Sequence, residues 1–183
     1  HKNIQEELEV KAAKDPLTRL YNRRGFLQLA QKEIKKAHTL KHSVTLILID
    51  LDDFKYINDN FGHPIGDIVL SKIAKVFQRS LRSVDIICRY GGDEFAVLIP
   101  EANAISAEKA IQRIQKTLED NTLPNIGSHP IQFSAGIATY DSKGDTLSIE
   151  LDTLIKWADE ALYHAKRAGK NGICIFNKNE TAH

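Results

Sequence analysis

Residues Arg89-Tyr90-Gly91-Gly92-Asp93-Glu94-Phe95 join two apolar, β-prone runs, 84–90 upstream and 95–100 downstream. Adjacent glycines between two such runs predict a tight antiparallel hairpin. Two carboxylates follow the turn at once. Glycines at a hairpin tip let a bulky polyanion approach the backbone, and adjacent acids can hold the divalent metal such a ligand carries. Taken alone, the same residues also describe a surface turn with two solvated acids.

The rest of the chain supplies the partners of that hairpin. Residues 1–14 carry a short helical stripe of Ile4, Leu8 and Ala12, which Asp15-Pro16 breaks. Residues 24–41 form an amphipathic pattern with Phe26, Leu27, Leu29, Ala30, Ile34 and Ala37 as its apolar positions. Residues 44–51 are a continuous apolar run ending in acids, which predicts a buried central strand. A polar, Gly-bearing loop is expected over 52–67, then a helix over 68–81 with Leu70, Ile73, Ala74 and Phe77 inside. A further helix is expected over 106–118, a loop over 121–130 and a strand over 131–140, in which Gly136 marks a bulge or a close approach. The pattern closes with a helix over 151–168, ended by Gly169, and a short strand over 173–176. The order β-α-β-β-α-β is the ferredoxin-like split βαβ arrangement, an α/β (α+β) fold with helices flanking a mixed, largely antiparallel sheet. In that topology the end of the first strand lies beside the hairpin tip, so Asp50 is expected to face Asp93 and Glu94.

With 183 residues, 42% of them hydrophobic, one domain plus an appendage is expected. The boundaries drawn are 1–14 for a signalling or linker helix, 15–178 for the domain and 179–183 for a disordered tail. A net charge of +1, from 25 basic and 24 acidic residues, gives no support for a nucleic-acid or membrane-surface binder. No apolar run is long enough to span a bilayer and no secretory signal is visible. Cys88 and Cys174 sit in apolar strand-like runs and read as buried free thiols, consistent with a reducing cytoplasm.

A buried strand that ends in Asp50, Asp52 and Asp53 is costly unless a cation sits there, either Lys or Arg or Mg²⁺. Together with Asp93 this places carboxylates from different strands in the pattern used for Mg²⁺ carrying substrate phosphates. Such ions serve phosphoryl or nucleotidyl transfer. Lys55 can offset phosphate charge or stand as a surface lysine. Asn58 and Asp67 suit the guanine edge, where a carboxylate accepts from N1–H and the 2-amino group. Helix capping and turn formation explain the same two residues equally well. Lys166 and Lys170, four apart, can clamp a triphosphate, although cations at a helix C-terminus are favoured by the dipole alone.

Several ordered motifs resemble those of the GGDEF-domain diguanylate cyclases. They are Asp15-Pro16-Leu17-Thr18-Arg19-Leu20-Tyr21-Asn22-Arg23-Arg24, Asp50-Leu51-Asp52-Asp53-Phe54-Lys55 with Asn58-Asp59, Gly62-His63 with Gly66-Asp67, and the hairpin. Ala158-Asp159, Ala161-Leu162-Tyr163, Ala165-Lys166, Gly169 and Asn171 continue the match, which runs over about residues 15–176. The resemblance implies a fold like that of nucleotidyl cyclase and polymerase palm domains. It implies condensation of two GTP into cyclic di-GMP and two pyrophosphates by a homodimer. By matching position, Asp50, the Leu51 carbonyl and Asp93 would bind Mg²⁺, with Mn²⁺ as an alternative. Asp93 or Glu94 would activate the 3′-hydroxyl, and Lys55 would stabilise transferred charge. Asn58 and Asp67 would read guanine, with His63 and Phe54 near the nucleoside, Gly91 and Gly92 against the substrate, and Lys166 and Lys170 on phosphates. Arg82 and Asp85, with Arg113 on the next helix, resemble the family's RxxD product-inhibition site, and a surface Arg–Asp pair is the plain alternative. Lys170 stands where family members often carry Arg, and Arg19 where Gly is common. The implied setting is the bacterial cytoplasm, with a sensor domain upstream that leaves a membrane anchor there open. The alternative function is a non-catalytic GTP- or cyclic di-GMP-binding module.

Overall fold

The computed structural model describes residues 3–5, 8, 12–144 and 147–179. Residues 3–5, 8 and 12 are helical, and Ile4 and Leu8 are exposed. The remainder of the expected N-terminal stripe, and residues 180–183 of the expected tail, lie outside the described residues.

Six strands form one sheet: β1 (Tyr21–Asn22), β2 (Ser43–Leu51), β3 (Ile86–Arg89), β4 (Glu94–Pro100), β5 (Phe133–Asp141) and β6 (Ile173–Ile175). Their order across the sheet is β1-β3-β4-β2-β5-β6. The central strand β2 is antiparallel to both β4 and β5. Parallel pairs, β1 with β3 and β5 with β6, finish the two edges. This is the ferredoxin-like core expected from the sequence, widened by one short strand on each side.

Five helices cover the sheet: α1 (Arg23–Leu40), α2 (Phe54–Phe61), α3 (His63–Ser80), α4 (Ala104–Asp120) and α5 (Leu151–Ala168). A single 3₁₀ turn, Pro124–Ile126, interrupts the loop after α4. Strand residues alternate between faces. Ile47, Ile49 and Leu51 of β2 join Phe95, Val97 and Phe133 against α3 and α4, where Phe77 packs edge-on to Phe95 and Phe133. Leu46, Leu48, Ala96, Leu98 and Ala138 face α1 and α5 through Phe26, Ala30, Ile34, Leu154 and Ala158. A sheet buried on both faces explains why β2 reads as an unbroken apolar run. Gly136 is a close approach: a Cβ there would overlap the backbone of Ala158 and Leu162 on α5.

The segment 52–67 differs from the expected loop. It folds into α2 and the first turn of α3, divided at Gly62 with φ 90°. A local polar composition hid two helices whose apolar sides, Ile57 and Gly66, are buried. Cys88 is buried, and burial pushes its thiol up to about 12, whereas Cys174 is only half-buried. Among the described residues no helix is long and apolar enough to cross a membrane.

Candidate active site

The end of β2 and the start of β4 meet as the strand order requires. Asp50 lies opposite Glu94 in the ladder, and the Leu51 N–H donates to the Asp93 carbonyl (3.1 Å). The hairpin itself is looser than a two-residue turn, since four residues separate β3 from β4. Neither of its glycines adopts a positive φ. They provide space instead: a Cβ on Gly91 would strike the Glu94 carboxylate, and a Cβ on Gly92 would meet nothing within 4 Å. Arg89 fixes the tip. Its Nε and Nη2 donate to the Gly92 carbonyl (3.1 and 2.9 Å), and its Nη1 reaches Asp15 Oδ1 (3.3 Å).

The three acids at the strand end have separate roles. Asp52 is buried, 8% exposed, and accepts from the Ser134 hydroxyl (2.9 Å) and the Asn171 N–H (2.7 Å). It is a structural carboxylate that ties β2 to β5 and to the turn after α5. Asp53 holds the N-cap place of α2 in a left-handed conformation (φ 58°) but caps nothing with its side chain, which pairs with Lys170 Nζ at 2.6 Å. Asp50 is partly open and pairs with Lys166 Nζ at 2.6 Å. Burial raises the Asp50 carboxyl above its ordinary range, Lys166 opposes that, and Asp93 and Asp52 add to it. Glu94 is raised as well, by burial first and then by Asp50, Asp93 and Asp159, with Arg23 opposing. The site is therefore a patch of crowded negative charge into which two lysines are drawn.

Lys166 lies in the last turn of α5, but Lys170 is beyond its end rather than on the same face. The pair converges because Gly169 (φ 133°) and Asn171 (φ 58°) turn the chain back toward β2. The two lysines, spaced four apart, thus reach the strand-end acids through a cap rather than through helix periodicity.

Asn58 and Asp67 are helical, on α2 and α3, so neither caps the helix that follows. Asp67 sits on the fifth position of α3 and is exposed. A side chain at Gly66 would overlap the Asn58 amide and press on Phe54, so this glycine brings α3 against the residues nominated for base contact. His63 and Lys55 are exposed. A cavity of about 610 Å³ opens along α3 and reaches Asp67 and Leu17. Sequence reasoning missed Arg23, Asp159, Ser134, Asn171 and the Asp15–Arg89 clamp. Their motif positions were visible, but their contacts span up to 119 residues in sequence and need the fold.

Among the described residues no three His, Cys, Asp or Glu side chains gather closely enough to hold a metal by themselves. The donors at the strand end are nevertheless all oxygen, and the Lys166 ammonium already occupies a cation position on Asp50. That donor set suits a hard divalent ion bound partly through a substrate's phosphates.

A second cleft, of about 310 Å³, is lined by Arg82, Asp85 and Arg113. Arg82 Nη2 pairs with Asp85 Oδ1 (3.0 Å) and donates to the Pro100 carbonyl (2.9 Å), and Arg113 Nη2 donates to the Ser80 carbonyl (2.8 Å). Two arginines from separate elements thus share one cleft away from the acid cluster.

Comparison with known proteins agrees with this geometry. A probable diguanylate cyclase of Escherichia coli K12, DgcC, is 36% identical over 167 residues, which cover 90% of this chain and 43% of that protein. The E. coli K12 diguanylate cyclase DosC is 36% identical over 162 residues, covering 88% of this chain and 35% of that one. The chain thus spans less than half the length of these relatives. The coiled coil and GGDEF domain of DgcB from Caulobacter crescentus, solved in complex with c-di-GMP, superposes with a TM-score of 0.86 at 28% identity, covering 95% of this chain and 91% of that one. The family model described as "Diguanylate cyclase, GGDEF domain" matches residues 12–172, and with the strand-end acids, the hairpin and the sheet order in place, the chain belongs to that family.

Proposed function

We propose that the domain is a diguanylate cyclase. Two GTP molecules, one on each of two copies, are joined head to tail. The 3′-oxygen of each forms a bond to the α-phosphorus of the other, the bond to pyrophosphate breaks, and the hydroxyl proton leaves to a base. The observation that carries this reading is the pairing of Asp50 with Glu94 in the ladder at the strand end, beside Asp93, where burial first and the neighbouring carboxylates second raise both carboxyls.

Glu94 takes the hydroxyl proton, because a carboxylate with a raised pKa is a better base near neutrality. Asp50, Asp93 and the Leu51 carbonyl would hold Mg²⁺, with Mn²⁺ able to replace it. When bound, the ion supplies positive charge to the phosphates and to the attacking oxygen. Lys55, Lys166 and Lys170 meet phosphate charge, Asp67 and Asn58 read guanine, and Phe54 and His63 border the nucleoside. Gly91 and Gly92 leave the hairpin tip low enough for substrate to pass. The acid cluster lies on the surface rather than in a closed cavity, which suits a site completed by a second copy. The domain boundaries are 15–178, with the preceding helix linking to an upstream sensor in a bacterial cytoplasmic setting.

Arg82, Asp85 and Arg113 form the product site. Two arginines in one cleft suit the guanine and phosphate edges of cyclic di-GMP. In this reading Arg82→Ala leaves initial turnover intact and removes inhibition by added product; unchanged inhibition rejects the site.

Incubation of the protein with GTP and Mg²⁺, followed by chromatography, tests the main reading. Cyclic di-GMP with two equivalents of pyrophosphate is expected. A cyclic mononucleotide, or GTP bound without turnover, would favour a different nucleotidyl cyclase or a binding module.

A further inference from the structure

Lys166 and Lys170 are the side chains assigned above to phosphates, yet both rest on acids. Lys166 Nζ is 2.6 Å from Asp50 Oδ1 and 3.8 Å from Asp52 Oδ1, and Lys170 Nζ is 2.6 Å from Asp53 Oδ2. The first contact puts an ammonium on the one strand-end carboxylate that is neither buried like Asp52 nor turned to the start of α2 like Asp53.

We propose that Lys166 is an internal counter-ion that holds the place of the divalent cation, so that metal alone binds poorly and metal and nucleotide enter together. The proposal rests on the cyclase reading for the identity of the nucleotide, and not for the competition between Lys166 and metal.

Two independent features carry it. One is the ion pair itself. The other is the lack, among the described residues, of any group of three acidic or metal-ligating side chains able to bind an ion unaided. A bare dication at Asp50 would face the ammonium at contact distance and would have too few protein ligands. Displacing Lys166 without offering it another anion leaves it only the longer contact to Asp52 (3.8 Å) beside a dication, which Coulomb repulsion opposes. A metal–triphosphate complex removes both objections. Its metal takes the carboxylate from Lys166, its phosphate oxygens accept Lys166 in turn, and the same oxygens complete the metal's coordination. Lys170 makes the parallel exchange from Asp53, though it is 64% exposed and its pair contributes less.

The test is titration of the protein with Mn²⁺ in the absence of nucleotide, followed by electron paramagnetic resonance of the free ion. Wild type, Lys166→Gln, Lys166→Met and the double variant Lys166→Gln/Asp50→Asn are compared, with thermal melts to confirm folding. Both single variants are expected to bind Mn²⁺ about two- to fivefold more tightly than wild type, the factor a partly exposed ion pair supports. The double variant is expected to lose that gain. Equal or weaker binding by the single variants, or a gain that survives Asp50→Asn, overturns the proposal. The readout involves no turnover. A wild-type protein that makes no cyclic di-GMP would reject the cyclase reading while the Mn²⁺ titration still decides the role of Lys166.

Discussion

The two ends of β2 are built on opposite terms. At its start, Thr45 Oγ1 donates to the Ala102 carbonyl (2.7 Å) and meets Thr139 Oγ1 (2.8 Å), and the Ser142 hydroxyl bridges the Ala37 and His42 carbonyls (2.8 and 2.9 Å). Each of these groups is neutral and partnered, and Thr45 and Ser142 are fully buried. At its other end, Asp50 and Glu94 sit side by side with Asp93 adjacent, and Lys166 and Arg23 offset them in part. One strand thus carries a neutral, hydrogen-bonded end that contributes stability and a crowded anionic end that costs some. Such a cost is retained where charge has work to do on a ligand.

The largest expected effect lies at the anionic end. Asp93→Asn removes one of the three crowded acids and should lower GTP turnover by about 100-fold or more, with the melting temperature held. A large loss of folding there would mean that the acids are structural. The neutral end should behave in reverse. Thr45→Val leaves the buried Ala102 carbonyl without its donor and should cost about 1–2 kcal/mol in denaturant unfolding, with turnover unchanged. Arg19 belongs to neither end but holds a left-handed backbone (φ 65°). Arg19→Gly should raise stability by about 1 kcal/mol, because a Cβ is disfavoured in that conformation.

The smallest effect is in pH dependence, and it has opposite signs at two carboxylates. Glu94 is raised in the folded state, so its contribution is present at acid pH and is lost as pH rises through its folded pKa. For Asp15, burial alone would raise the carboxyl, but the Thr18 amide and hydroxyl and Arg89 outweigh it and hold the pKa below its ordinary value. Its contribution is present above the unfolded pKa and is lost as pH falls through the folded one. Thermal melts between pH 3 and 7 (roughly the carboxylate range) should therefore show Glu94→Gln flattening the decline toward neutrality and Asp15→Asn flattening the decline toward acid. Glu94 is well solvated, so its share should stay within about 0.5 kcal/mol.

Much of this was legible from residue order. The apolar run ending at Leu51, the glycines at 91 and 92 and the helical spacing of Leu70, Ile73, Ala74 and Phe77 placed the sheet and its covering helices, and the strand order followed. That order put Asp50 against Glu94. What stayed hidden depended on context. Residues 54–61 carry Phe54, Ile57 and Phe61 at helical spacing, but the segment is only eight residues long and otherwise polar, so in sequence it reads as a loop. Asp50, Asp52 and Asp53 look alike in sequence, and burial alone separates them. Tyr21–Asn22 is too short to read as a strand without β3 beside it.

The most direct test of the contrast is Glu94→Gln assayed for GTP turnover with its melting temperature recorded on the same sample. Loss of cyclic di-GMP formation with a melting temperature equal to or above that of the parent is the predicted result. Turnover that survives, or a loss that comes with a clear fall in melting temperature, would contradict the claim that this end of β2 is kept for chemistry rather than for stability.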